Sequence, residues 1–107
     1  MQEIHMNWGD KISRQLDGTT LTLSDGERKL SIDLAERQQD VQVTINICRD
    51  EDGNLVEGLA QRYVAVIVIP PRQYATEVIE GEDGEQQEVR VPLPLDTDQV
   101  KLYLWAE

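Results

Sequence analysis

The stretch Ile12-Ser-Arg-Gln-Leu16-Asp17-Gly18-Thr-Thr-Leu21-Thr-Leu23-Ser-Asp25-Gly26-Glu-Arg-Lys-Leu30-Ser-Ile32-Asp-Leu34 decides the fold. Leu21 and Leu23 alternate with polar residues between two Asp-Gly pairs, and Leu30, Ile32 and Leu34 repeat the pattern after the second. Side chains two apart lie on one face of a pleated strand, so each set lines a single apolar face. Asp and Gly tolerate the backbone angles of tight hairpin turns. Residues 12–34 therefore read as a three-stranded meander with one wet face.

The same punctuation recurs at Asp52-Gly53 and Asp83-Gly84. Val41, Val43, Ile45 and Ile47 alternate with Gln42, Thr44, Asn46 and Cys48, and a partner strand begins near Leu55. Gly58 is placed to mark a bulge in that partner. Tyr63-Val-Ala-Val-Ile-Val-Ile69 is apolar at every position until Pro70-Pro71 stops it. Proline cannot donate to a ladder, and seven residues this rich in β-branched side chains make a strand rather than a helix. Both faces of that strand want cover.

Tyr74 to Glu80 and Gln86 to Leu95 form another hairpin, whose prolines Pro92 and Pro94 belong at a sheet edge. Val100, Leu102 and Leu104 alternate with Lys101, Tyr103 and Trp105 in a last strand. Ala35 to Asp40 is a loop or one helical turn. The expected fold is thus all-β: a single-domain antiparallel β-sandwich or small barrel of eight or nine short strands joined by hairpins, spanning residues 1–107.

Composition agrees. A chain of 107 residues has room for one core, and with no Phe that core is built from Val, Ile and Leu. The net charge of −11, with no basic stripe, argues against nucleic acid and anionic membranes as partners. No apolar run approaches the roughly 20 residues of a membrane-spanning helix. Met1 to Met6 lacks the basic start and apolar stretch of a signal peptide. The single cysteine, Cys48, excludes an intrachain disulfide and suits a reducing compartment. The expected setting is cytoplasmic, with later incorporation into a larger particle left open.

Catalysis finds little support. His5 is the only histidine and has no nucleophile motif to accompany it. Cys48 stands beside Asp50 to Asp52, surroundings that do not suit a thiolate nucleophile. The chain is read as a non-enzyme without cofactor. Asp50, Asp52, Asn54 and Glu57 could partly furnish calcium's six to eight oxygens, although the glycine spacing departs from the helix-loop-helix calcium motif. A solvated hairpin turn explains the same residues.

Glu77 to Glu88 holds six carboxylates and no basic residue; Glu80, Glu82, Asp83 and Glu85 cluster at its turn. It reads as a docking arm for a basic partner, as an acidic decoy for a nucleic-acid-binding protein, or as a self-repelling tip that guards an edge. Tyr103 and Trp105 share a strand face and suit a protein interface or a sugar ring, unless an N-terminal strand with Ile4, Met6 and Trp8 covers them. With the two-faced run, Tyr63, Ile67, Ile69, Tyr103 and Trp105 are the expected interface. The function expected is a structural or assembly module that associates through apolar strand faces, with a protein partner or a homo-oligomer. A calcium- or carbohydrate-binding module is the alternative, and a small-molecule ligand is not expected. In general look the chain resembles small phage- or prophage-encoded structural and accessory proteins, though no motif carries the likeness.

Overall fold

Alternation of apolar and polar side chains builds the first layer. In a computed structural model, which describes all 107 residues, β2 (Ser13–Asp17), β3 (Thr20–Ser24) and β4 (Lys29–Asp33) form the expected meander. Leu21, Leu23 and Ile32 point inward and are buried, while Thr20, Thr22 and Ser31 occupy the opposite phase. The two-residue loop Gly18-Thr19 joins β2 to β3, with Gly18 at φ +60° in the first central position. That is the place a type II′ hairpin turn reserves for glycine. Asp17 is the last strand residue, and no aspartate in the chain has a positive φ.

Asp33 then caps a single helical turn, α1 (Leu34–Arg37), by accepting hydrogen bonds from the amides of Ala35 and Glu36. Leu34 drops from it into the core.

The second layer is a five-stranded sheet. It contains β1 (Gln2–His5), β5 (Val43–Arg49), β6 (Leu55–Glu57), β7 (Arg62–Ile69) and β10 (Lys101–Leu104). Their order is β1-β10-β7-β5-β6. Ile45, Ile47, Ala65, Ile67, Ile69, Leu102 and Leu104 face the meander and share one core cluster with Leu21, Leu23, Ile32 and Leu34. Neither sheet closes into a ring, since the larger ends at β1 and β6 and the smaller at β2 and β4.

The third sheet is a hairpin of β8 (Tyr74–Glu80) and β9 (Gln86–Pro92), paired with each other and with no other strand. No residue from Pro70 to Gln99 is buried. The hairpin is a projecting arm. It stretches the molecule to 64 × 23 × 22 Å and its radius of gyration to 18.3 Å, against about 13 Å for a compact chain of this length. At the base Tyr74 donates to Asp40, and Arg72 donates to the carbonyl of Gln38 at 2.8 Å.

Several expectations are corrected. There are ten strands, and the N-terminal one, β1, is shorter than expected: it has four residues, includes Ile4 and stops before Met6 and Trp8. It pairs with β10 in parallel, so the structure is not purely antiparallel. Val41 lies outside β5 and is exposed. Gly58 ends β6 instead of bulging it, at φ +108° with its amide donating to Asn46. The bulge lies in β7, where Val64 is the extra residue opposite the Ile47–Cys48 step of β5. Pro92 closes β9 at an unpaired edge, and Pro94 lies beyond it.

The two phases of β7 should answer differently to truncation. Ile67→Ala should cost about 2–5 kcal/mol in urea unfolding, because it leaves a cavity between the layers. Val66→Ala, one residue away on the opposite face, should cost less than about 1.5 kcal/mol. Equal losses would contradict the assignment of faces.

Candidate functional site

The pleat that buries Ala65, Ile67 and Ile69 sends Val66 and Val68 to the other side of the sheet. Strand pairing extends that outer face. Val66 is partnered with Tyr103 and Asn46, Val68 with Lys101 and Thr44, Tyr103 with Ile4, and Cys48 with both Val56 and Tyr63. At one end Tyr63 and Trp105 stack, ring centroids 5.2 Å apart and planes inclined by 28°. Ile4, Val56, Val66, Val68, Tyr103 and Trp105 are all partly exposed, and Tyr63 is 44% exposed. No second layer lies over them.

The charge on this face separates it from the rest of the surface. In a chain with 21 acidic residues, none occupies an outer-face position of the five-stranded sheet, and Lys101 is the one charged side chain there. The outer face of the meander is built of Ser, Thr, Gln, Lys and Asp, an ordinary solvated surface. An apolar, aromatic-bearing face low in charge has the composition of an interface core.

The expected interface residues are thereby divided. Tyr63, Tyr103 and Trp105 lie together on the outer face. Ile67 and Ile69 do not, because their phase points into the core and both are fully buried. The residues that take their place are Ile4, Val56, Val66 and Val68. Assigning the alternate phase of β7 to the outside would have found Val66 and Val68. The segment Ile4, Met6, Trp8 does not roof the aromatics: β1 lies beside β10 in the same sheet, and Trp8 is 99% exposed. The loop bearing Trp8 is nevertheless fixed, since Asn7 accepts from the amide of Ala106 at 2.6 Å.

Of the calcium candidates Asp50, Asp52 and Asn54 share one turn and Glu57 lies apart from it, and no group of three or more acidic, histidine or cysteine side chains is placed to hold a metal. Asp50 folds its own turn, accepting from the amides of Asp52 and Asn54 at 2.9 Å each. Asn54 accepts from Arg28, which also donates to the carbonyl of Asp52. Glu57 leaves on β6 to meet Arg37 at 2.7 Å. Asp50, Asn54 and Glu57 thus each have a structural partner within the fold. Glu80, Glu82, Asp83 and Glu85 sit at the far end of the arm, exposed. The arm's carboxylates do not form a single row. Glu80 and Glu88 share the face of Val78, and Glu77 shares the other with Ile79 and Val89. His5 lies 3.6 Å from Glu3, whose carboxylate is bound by Arg14 at 2.9 and 3.0 Å. That guanidinium lowers the Glu3 pKa.

The strongest polar constellation is structural. Arg49, 7% exposed, binds both carboxylate oxygens of Glu107, Asp25 at 2.8 Å and the carbonyl of Gly53 at 2.7 Å. It ties β5 to the β3–β4 turn and to the segment after β10. The amides of Arg28 and Glu27, and then Arg49, hold Asp25 down from 3.8 to about 2. A carboxylate with a depressed folded pKa stabilises above its unfolded value and loses that contribution as pH falls toward the folded one.

No protein-family model matches the chain, and no curated protein or solved structure matches it. No helix is long and apolar enough to cross a membrane.

Thermal melts between pH 5 and pH 2 test the Arg49 constellation. The wild type should lose stability as pH falls from about 4 toward 2. Asp25→Asn should melt lower at pH 6 and show a shallower acid loss. A variant whose acid profile runs parallel to the wild type's would contradict the role given to Asp25.

Proposed function

We propose that the chain is a non-enzymatic structural or assembly module whose outer sheet face is covered by another polypeptide. One observation carries this reading: the five-stranded sheet is apolar on two faces, and the chain supplies a second layer for only one. The outer face has the aromatic anchors, the low charge and the partial exposure expected of an interface core. Three features place it on rigid ground. Its central strands are the best buried in the molecule, the Tyr63–Trp105 stack is preformed, and Arg49 fixes the β5 end of the sheet. A partner therefore meets an ordered surface and little ordering entropy is lost on binding.

A photo-crosslinking residue at Thr44, on the outer face, should form adducts with a polypeptide in the cells that make the protein. The same group at Gln15, on the outer face of the meander, should form none. Absence of adducts from Thr44, or equal adducts from both positions, would overturn the reading.

A further inference from the structure

Two apolar strand faces of this chain lack cover: the outer face of the large sheet and one side of the projecting arm. On the arm, Ala75 pairs with Val91, Glu77 with Val89 and Ile79 with Gln87, so one side presents Ala75, Ile79, Val89 and Val91. A free two-stranded hairpin in water gains little from its own side chains. Its apolar side needs a surface to lie on.

Resting on the assembly reading above, we infer that the arm of one copy docks on the outer sheet face of a second copy. Charge selects this occupant. Within its paired strands the arm's apolar side carries a single charged residue, the carboxylate of Glu77, and the outer face carries a single charged residue, the ammonium of Lys101. Elsewhere the body is studded with carboxylates that repel a segment bearing six of its own between Glu77 and Glu88. The acid-free face is the part of a like-charged copy that accepts it. Dimensions agree as well. Seven residues of strand extend about 20 Å, and five strands side by side span about 20 Å between their outermost axes. Because arm and face are different surfaces, the contact is heterologous and propagates into a ring or a filament.

Glu77 and Lys101 are both exposed in the single chain, so reversing their charges should leave the fold intact, as circular dichroism would verify. Sedimentation of the full chain should show concentration-dependent assembly. Glu77→Lys and Lys101→Glu should each weaken it on the order of tenfold or more by opposing like charges. The double variant, and an equimolar mixture of the two single variants, should recover it, since opposite charges meet again in both cases.

Assembly unaffected by Glu77→Lys but abolished by Lys101→Glu would mean that outer faces pack on one another, and would overturn the arm contact. A wild type that stays monomeric at about 200 μM would overturn it too. In either case adducts at Thr44, to another face or to a different polypeptide, would leave the assembly reading standing.

Discussion

A single eight-residue strand imposes the arrangement of the molecule. β7 is the central strand of the larger sheet, and from Tyr63 to Ile69 it is apolar on both sides. Each apolar side chain withdrawn from water contributes about 1.5–3 kcal/mol, so both sides favour cover. The apolar material that packs against it comes mainly from the meander, whose Leu and Ile residues alternate with Ser and Thr. Such a layer can line one face only. It covers Ala65, Ile67 and Ile69, which leaves Val66, Val68 and their neighbours Tyr103 and Ile4 outside. The uncovered face follows from a mismatch in periodicity between two layers of the same chain.

How the layers are held has consequences for that face. Arg49 withdraws a charge from water, which is costly unless its hydrogen bonds are met. Asp25, Glu107 and the Gly53 carbonyl meet them, and they come from three separate stretches of chain. An interaction of this kind adds little net stability but admits one arrangement of its partners. It fixes the meander's second turn against the end of β5, and thereby the height at which the sheet's inner face is filled. The asparagine and aspartate turns act more locally. Asp50 and Asp25 each accept backbone amides within their own turn, so those acidic loops are closed by their own carboxylates.

Much of this was legible in the residues. Period-two alternation located the meander, β5, β10 and both strands of the arm, and Asp-Gly located the turns, although only the glycines adopt positive φ. Other features left no local mark. An N-terminal strand through Ile4 was legible but its parallel pairing beside β10 was not, because four residues with one apolar side chain carry no signal for a partner. The direction of β7's two faces was equally silent, because a run apolar at every position has no phase, and so Ile67 and Ile69 were assigned to the wrong side. The calcium reading rested on oxygen side chains clustered near one turn, residues that a solvated hairpin turn explained equally. The geometry instead gives Asn54 to Arg28 and Glu57 to Arg37. The projection of the arm could not be read either, since a hairpin that packs and one that projects have the same turn and the same alternation.

That last ambiguity bears on why the arm is a hairpin at all. A disordered acidic loop of equal length would pay its whole ordering cost on binding. Here the strands are already paired through seven residue positions, Arg90 lies 4.3 Å from the centroid of the Tyr74 ring, and Arg72 and Tyr74 pin the base to Gln38 and Asp40. The arm is therefore preorganised before it meets any surface, and the mutual repulsion of its carboxylates discourages the edge-to-edge pairing that free strands invite. Such a segment is protected from other arms and still open, on its one nearly uncharged side, to a face of the right composition. Within this chain, the face opposite Ile67 and Ile69 has that composition.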